Sequence, residues 1–235
     1  MVDKNNKYTN MQKKYYESGV AAHLRHNKFP HYWDILLGDL KDVDKWKGKN
    51  ALDFGCGAGR NIVNMAALCE WANVDGCDIS AKNIELTREF TTLKWLDDGI
   101  TSQHRGYVVD GVSLRGIDEP NNVPLDFYDF IMSTITLQHI CVYDIRFKIL
   151  EGMYACLREG GLLSIQMGFE GRHMGYYQNH FDAKDTNSMC DVVVSDPKQI
   201  VGDLEKIGFK EIWTDITESD HDGSHPKWIF AKGVK

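Results

Sequence analysis

The chain has 235 residues, 43% of them hydrophobic, which fits one large domain with a sizeable core better than two ordinary domains. Its 27 Lys and Arg face 34 Asp and Glu, giving a formal net charge of -7. That sign opposes long-range attraction to nucleic-acid phosphates or anionic lipid. No stretch approaches the roughly 20 apolar residues of a membrane span, and no apolar run follows the first residues. We therefore expect a cytoplasmic protein with no membrane partner, and nucleic acid becomes a minority hypothesis; the oligomeric state stays open.

The six cysteines form no CxxC pair and none stands beside histidine at zinc-finger spacing. Most of them are therefore expected to be small buried hydrophobic side chains in a reducing compartment. This pattern predicts no metal site.

The first 48 residues are polar and aromatic, unlike the rest of the chain. Trp33, Leu36, Leu37 and Leu40 follow the i, i+3, i+4, i+7 spacing of an amphipathic helix. We predict a helical N-terminal cap over residues 1–48.

From Ala51 onward, short apolar runs alternate with helical patterns, which predicts βαβ units and a parallel sheet. The expected strands are Ala51–Phe54, Val74–Asp78, Gly106–Val109, Phe127–Ser133, Leu162–Met167, Lys210–Thr217 and Trp228–Lys232. The last two are too close in sequence for a helical crossover and should pair antiparallel. The predicted fold is doubly wound α/β, with a mainly parallel seven-stranded sheet, an antiparallel last strand and helices on both faces. A single domain is expected, with a core at 49–168, an insertion at 169–195, and the last helix and strand pair at 196–235.

Helix boundaries are marked by capping residues. Ser80 is an expected N-cap, and Asp196 followed by Pro197 is another. Gly208 and the Gly160–Gly161 pair are expected to end the helices that precede them.

The strongest functional signal is the segment ALDFGCGAGR at residues 51–60. An apolar strand ends in a carboxylate, glycines follow at alternating positions, and a helix comes next. Glycines let a ligand lie against the main chain, and the helix start offers free N–H groups. A dinucleotide fingerprint would need glycine at position 60, where this chain has Arg60. Asp53 favours a ligand that carries a cation over a pyrophosphate.

This segment resembles the leading motif of the class I (Rossmann-like) S-adenosylmethionine-dependent methyltransferases, in particular their small-molecule methyltransferase domains. The likeness runs over about residues 51–167. It implies S-adenosylmethionine as cofactor, a small-molecule acceptor, and a loop that wraps the methionine part of the cofactor. The matching positions are Asp53, Gly55, Cys56, Gly57 and Gly59. Asp53 is implied to interact with the cofactor's amino group.

Two further acidic residues end the next two predicted strands. A carboxylate at Asp78 is placed to accept hydrogen bonds from both hydroxyls of a ribose. The resemblance implies this role for Asp78 and adenine packing for Ile79. It also matches Asp110, with Gly111 and Val112, to the position that hydrogen-bonds the adenine amino group.

After the fourth predicted strand, the segment from Ser133 to Ile140 resembles the stretch that lines the reaction centre of this family. Ser133 and Thr134 are implied to touch the cofactor. His139 has two interpretations, a general base for an acceptor hydroxyl and a structural histidine packed against the cofactor loop. A base matters only for some acceptors, because the methyl group is already activated and positioning supplies much of the acceleration.

The 169–195 insertion is long for a connector and rich in aromatic residues and histidine. It is interpreted as an acceptor-binding lid, with a surface excursion as the alternative. His173, Tyr177 and His180 are its candidate substrate residues. Metal binding by His173 and His180 is considered but has no supporting spacing.

The N-terminal cap also leaves two interpretations open. Tyr15–Tyr16 and Arg25–His26 either close over the methionine end of the cofactor or form a helix face and a solvated turn. Composition does not distinguish the two.

Three rival functions are considered. A methyltransferase acting on protein or RNA is one, although the acidic net charge argues against RNA. A non-catalytic cofactor-binding subunit is another. An NAD-dependent oxidoreductase would need glycine at position 60 and a second domain, and the sequence provides neither.

Overall fold

The computed structural model describes residues 2–18, 33–114, 122–171, 174–179, 191–219 and 225–235. Its helices are α1 (Val2–Tyr16), α2 (Trp33–Leu37), α3 (Val43–Trp46), α4 (Arg60–Leu68), α5 (Ala81–Asp98), α6 (Tyr143–Cys156) and α7 (Pro197–Ile207). Its strands are β1 (Asn50–Phe54), β2 (Asn73–Asp78), β3 (Gly106–Val108), β4 (Tyr128–Ser133), β5 (Leu157–Phe169), β6 (Met174–Gly175), β7 (Val192–Val193), β8 (Lys210–Glu218) and β9 (Lys227–Val234). Within these ranges, no helix combines the length and the apolar character needed to cross a membrane.

Seven strands form one sheet in the order β3-β2-β1-β4-β5-β9-β8. The first five pair in parallel, whereas β9 runs antiparallel to both of its neighbours. The predicted seven-stranded, mainly parallel fold is confirmed. The strand order reverses between β1 and β4, and ligands of such sheets bind at the carboxyl ends of the strands beside this reversal.

Apolar side chains cover both faces of the sheet. Two stripes at helical spacing are buried in the structure: Ile62, Met65, Ala66 and Cys69 on one face, and Ile145, Ile149, Met153 and Cys156 on the other. The five cysteines in the described residues are buried free thiols. Burial of these stripes fixes α4 and α6 against the sheet and thereby places the loops that precede them.

Local capping explains where α5 begins and where α7 begins and ends. The Ser80 hydroxyl accepts a hydrogen bond from the Asn83 N–H at 3.0 Å. Asp196 caps α7 with Pro197 as its first residue, and Gly208 ends it with a φ of 116°. These three predictions are confirmed.

The Gly160–Gly161 pair does not end α6, contrary to the prediction. The helix ends at Cys156 and Leu157 opens β5 directly, so both glycines lie inside the strand. There the register between β4 and β5 shifts and Gly160 has a φ of 75°. The glycines therefore serve a strand irregularity, where positive φ is needed, rather than a helix end.

The predicted helix through Leu36, Leu37 and Leu40 is divided in two. The α-helix α2 ends at Leu37, and a turn of 3₁₀ helix continues over Gly38–Lys41. All three leucines are buried against the sheet. The amphipathic pattern is thus confirmed, while its helix is shorter than expected.

Candidate active site

The loop after β1 depends on its glycines. Gly55, Gly57 and Gly59 have φ values of 72°, 54° and 91°, in the left-handed region that favours glycine. A Cβ atom on Gly55 would lie 2.2 Å from Cγ2 of Thr136. Because Gly55 has no side chain, the loops that follow β1 and β4 touch at the point where the sheet order reverses.

Asp53 lies in β1, and its side chain is fully buried. Among the described residues, neither of its carboxylate oxygens accepts a hydrogen bond of ordinary geometry. Burial raises the pKa of Asp53 to about 7, while the Asn61 amide and Arg60 oppose that rise. A buried carboxylate without partners destabilises a protein on its own but suits a ligand that brings a cationic group. The residues therefore fit the amino group of S-adenosylmethionine.

Asp78 ties the glycine loop to the start of α5. Its carboxylate accepts hydrogen bonds from the Gly57 N–H at 3.0 Å, the Ser80 N–H at 2.9 Å and the Asn83 amide at 3.2 Å. Burial raises the pKa of Asp78 to about 6, against the effect of these donors. A carboxylate has about four acceptor positions, so three donors leave room for one more.

Asp110 shapes the loop after β3. Its side chain accepts hydrogen bonds from the Val112 N–H at 2.9 Å and from the Ser113 N–H at 2.8 Å. A Cβ on Gly111 would lie 2.4 Å from Cδ1 of Ile79, so this loop packs directly on the residue that follows Asp78. The predicted acidic ends of β1, β2 and β3 thus border one edge of the sheet. Adenine recognition by Asp110, Gly111 and Val112 stays a prediction.

The Cys56 side chain points into the core rather than toward the loop. It is 5% exposed, and its Sγ would lie 2.8 Å from a Cβ on Gly76. Burial raises the pKa of the Cys56 thiol well above its usual value. Its N–H donates to the Cys77 carbonyl at 3.1 Å. Only main-chain atoms of Cys56 are thus left to contact a ligand.

Ser133 and Thr134 lie at the carboxyl end of β4. The Ser133 hydroxyl is buried and has no hydrogen-bond partner among the described residues, whereas the Thr134 hydroxyl donates to the Gln166 side chain. Ile135 follows with a φ of 55°, a strained conformation for a β-branched residue. Backbone strain of this kind is typical of functional loops. Cofactor contact by Ser133 and Thr134 stays a prediction.

Helix α1 covers this edge of the sheet. The Tyr8 hydroxyl donates to the His139 carbonyl at 2.8 Å and accepts from the Cys141 N–H at 2.8 Å. At the other end of α1, Glu17 accepts a hydrogen bond from the Ala81 N–H at 2.7 Å, at the start of α5. Burial, and after it the negative charge of Asp78, raises the pKa of Tyr16. Tyr16 therefore lies at the covered site; Arg25 and His26 fall outside the described residues.

His139 belongs to a cluster of three titratable side chains. Its Nδ1 lies 2.5 Å from Oδ1 of Asp191, and Nε2 of His225 lies 3.1 Å from Oδ2 of the same carboxylate. Burial alone would raise the pKa of Asp191, but the hydrogen bonds from His139 and His225 outweigh it and lower that pKa below its usual range. His139 comes three residues after Thr136, which touches the glycine loop. The cluster therefore adjoins the cofactor side of the site.

The described part of the insertion is anchored to α6. Arg146 is fully buried and donates to the carbonyls of Ile140 and Tyr176. The Tyr143 N–H donates to the Gln178 carbonyl at 2.7 Å. These bonds hold residues 174–179 at the start of α6, beside the loop that carries His139.

Of the candidate substrate residues, only Tyr177 lies in the described part of the chain. It is 55% exposed, and its ring packs edge-on against Tyr143 and Tyr176, each with centroids 5.0 Å apart. His173 and His180 lie outside the described residues, so the structure does not place them. Within the described residues, no group of three or more His, Cys, Asp or Glu side chains forms a metal site.

Asp191 and His225 were missed as site residues. They lie 52 and 86 positions beyond His139, at the start of two separate strands, and neither belongs to a motif. An isolated Asp before an apolar pair and a His before a proline carry no distinguishing spacing. Only the three-dimensional pairing of β5 with β9 and with the residues around β7 brings them together.

A family model described as "Methyltransferase domain" matches residues 30–211. The chain belongs to this methyltransferase family, and its sheet is that of the class I, S-adenosylmethionine-dependent members. The class predicted from the glycine motif and the acidic strand ends is confirmed. Among curated protein sequences, no significant match is found.

Solved structures share this fold at low sequence identity. Phosphoethanolamine N-methyltransferase 2 of Haemonchus contortus, solved with phosphomonomethylethanolamine and S-adenosylhomocysteine, has a TM-score of 0.59 and 16% identity, covering 86% of this chain and 52% of its own. A SAM-dependent methyltransferase from Methanosarcina mazei has a TM-score of 0.59 and 16% identity, over 80% and 93% of the two chains. The [4+2]-cyclase SpnF has a TM-score of 0.61 and 14% identity, over 86% and 81%. This chain therefore spans about half the length of the nematode enzyme.

Proposed function

We propose that this chain transfers the methyl group of S-adenosylmethionine to a small-molecule acceptor, by O- or N-methylation. The observation that carries the proposal is the buried Asp53 carboxylate, whose oxygens accept no hydrogen bond of ordinary geometry among the described residues, beside a glycine loop that admits a ligand. When bound, the cofactor supplies an activated methyl group on a cationic sulfur. The protein then has to hold the cofactor, orient the acceptor and accept a proton.

In this proposal, the residues at the carboxyl ends of β1, β2 and β3 bind the cofactor. Asp53 is suited to bind the cationic amino group of the cofactor. The main chain of the loop around Gly57 is suited to contact the adjoining part of the cofactor. Asp78 has about one acceptor position left for a ribose hydroxyl, because three donors already occupy the others. Ile79, packed on the Gly111 loop, offers an apolar face for the base.

His139 is the group suited to accept the acceptor's proton. In the proposed transfer, the acceptor would take the methyl group that the bound cofactor supplies, and the O–H or N–H proton of the acceptor would pass to His139. Imidazole is effective in this role near neutral pH when it is correctly placed. The hydrogen bond to Asp191 supports that placement.

A small acceptor is favoured by the cover over the site. Helix α1 is hydrogen-bonded at Tyr8 to the loop after β4 and at Glu17 to the start of α5, so it spans the edge where the cofactor would lie. A bulky macromolecular substrate would have to displace these bonds. The net charge of -7 gives no long-range attraction to RNA.

Calorimetric titration with S-adenosylmethionine and S-adenosylhomocysteine tests the cofactor site. We expect the wild-type chain to bind both, and Asp53→Asn to bind at least about tenfold more weakly because it removes the anion that faces the amino group. Asp129→Asn is the control. Asp129 accepts a hydrogen bond from the Asn50 N–H, at the other end of the strands, so this variant should bind normally. If the wild-type chain bound neither ligand, the proposal would be wrong.

Incubation with methyl-labelled cofactor and a fractionated metabolite extract tests the acceptor class. Phosphorylated amines belong in the panel, because a structural neighbour is a phosphoethanolamine N-methyltransferase. Label in low-mass products supports the proposal. Label in protein or RNA would replace it with a macromolecular methyltransferase, and cofactor binding without any label transfer would indicate a non-catalytic subunit.

A further inference from the structure

Asp191 accepts hydrogen bonds from two imidazoles through its two oxygens. An ionised carboxylate only accepts, so Nδ1 of His139 and Nε2 of His225 must both carry protons in this arrangement. In the neutral form of His139 this arrangement fixes the tautomer with the proton on Nδ1 and the lone pair on Nε2. A base with its lone pair on a defined nitrogen is prepared to accept a proton in one direction.

His225 is fixed more firmly than the other two members of the cluster. It is 1% exposed, and its ring lies 5.3 Å from that of Trp228. On the opposite strand, a Cβ on Gly168 would lie 2.1 Å from Nδ1 of His225, so the ring occupies the space that a side chain at 168 would fill. His225 therefore acts as a rigid support for the Asp191 carboxylate.

The main chain of His139 is also held in place. Tyr8 binds its carbonyl, and the neighbouring Gln138 side chain accepts the Gly168 N–H at 3.0 Å. With the backbone fixed, rotation of the imidazole ring is the main remaining freedom, and the 2.5 Å contact to Asp191 removes it.

We infer that Asp191 and His225 are positioning residues for His139: Asp191 sets its tautomer and ring orientation, and His225 holds Asp191. This inference rests on the proposed role of His139 as the base. The same geometry in a purely structural cluster would stabilise the fold without affecting proton transfer.

Nitrogen-15 NMR of histidine-labelled protein reads the tautomer directly, without cofactor or acceptor. In the wild type we expect the His139 ring, assigned by its loss in His139→Ala, to carry its proton on Nδ1. In Asp191→Asn the amide offers both a donor and an acceptor, so the preference should disappear. Asp203→Asn is the matched control, since the Asp203 carboxylate likewise accepts hydrogen bonds from two side-chain donors, and it should leave the His139 signals unchanged.

Kinetics with the extract fraction that takes the label supply the second measurement. We expect Asp191→Asn to lower kcat about 10- to 1,000-fold, less than loss of the base itself, with little change in KM. His225→Phe keeps a ring but removes the donor, and Gly168→Ala displaces the ring; both should lower kcat less. These two variants also serve if Asp191→Asn does not fold.

The possible results distinguish failure of the proposed methyl transfer from failure of the positioning role of Asp191. Failure of the wild type to bind the cofactor or transfer label would count against the proposed function, whatever the histidine spectra show. Normal binding and transfer, with Asp191→Asn retaining both the wild-type tautomer and the wild-type kcat, would overturn the positioning role. So would equal effects of Asp191→Asn and Asp203→Asn on the His139 signals.

Discussion

Two carboxylates, Asp203 buried and Asp191 partly buried, lie beside the described part of the insertion, and each accepts two hydrogen bonds from side chains. Asp203 on α7 binds the phenols of Tyr143 and Tyr176 at 2.8 Å and 2.6 Å. Burial raises the pKa of both phenols, so they stay protonated throughout the physiological range. Asp191 binds two imidazoles instead, and imidazole is the side chain that ordinarily titrates near neutral pH. The same arrangement thus gives a permanently protonated pair of donors at Asp203 and, under the proposed function, a proton-transfer group at Asp191.

Among the variants that test this comparison, the one that removes the His139 imidazole should show the largest effect, a fall in kcat. We expect His139→Ala to lower kcat about 10²- to 10⁴-fold, because proton transfer loses its acceptor while cofactor binding is retained. Tyr143→Phe removes the corresponding donor from Asp203 and should change kcat little. Rates at saturating cofactor, with the affinity measured separately, check this. Similar losses of kcat in His139→Ala and Tyr143→Phe would contradict the different roles assigned to the Asp191 and Asp203 clusters.

A third carboxylate, Asp53, extends the comparison to a buried acid whose oxygens accept no hydrogen bond of ordinary geometry among the described residues. Its folded-state pKa is raised to about 7, so ionisation destabilises the fold above that pH, and the effect fades as the pH falls toward its ordinary value. We expect Asp53→Asn to raise the free energy of unfolding by about 2–4 kcal/mol at pH 8 and by much less at pH 5. Urea denaturation of the ligand-free chain at both pH values measures this. A variant that is no more stable at pH 8 would contradict the prediction.

Asp203→Asn should weaken the hydrogen bonds from Tyr143 and Tyr176 without changing the surroundings of His139. One phenol loses its acceptor, which destabilises the fold by about 1–3 kcal/mol. Thermal and urea unfolding at neutral pH give the value, with the conservative Glu205→Gln on the same helix as an exposed control. An unchanged stability would mean that the phenols find other partners.

The smallest effect is the pH dependence of the Asp191 cluster. The folded-state pKa of Asp191 is lowered, so its contribution to stability is present above pH of about 4 and is lost as the pH falls through the folded-state value. Asp191→Asn should therefore be less stable than the wild type by about 1–2 kcal/mol at pH 6, and the difference should shrink toward pH 3. Urea midpoints along this series provide the measurement. A difference that grows in acid would reverse the assigned sign.

The cofactor half of the site was predictable because its chemistry is local. Strand, carboxylate, glycine turn and helix follow one another within ten residues at Asp53, and the pattern recurs more simply at Asp78. Each element is dictated by its own sequence, and parallel pairing then brings the ends together. The same reasoning gave the seven strands of the main sheet to within about five residues at each end, whereas β6 and β7 were not predicted.

The acceptor half was less predictable because its contacts are not local. The imidazole of His225 reaches Asp191 only through the pairing of β5 with β9, and Arg146 meets Tyr176 only after the insertion folds back. The left-handed Ile135 gave no signal either, since its residue type argues against that conformation. Such features depend on contacts between distant parts of the chain, so a local sequence pattern does not predict them.

The packing at Gly168 predicts how residues 168 and 225 vary among related chains. The N–H of Gly168 donates to the Gln138 side chain and the missing side chain of this glycine admits the His225 ring, so one position on β5 contacts both the loop of His139 and the His225 imidazole. In related chains that keep the imidazole pair, residue 168 should be fixed as glycine. Where a larger residue occurs there, position 225 should have changed to a smaller one, and the two positions should covary.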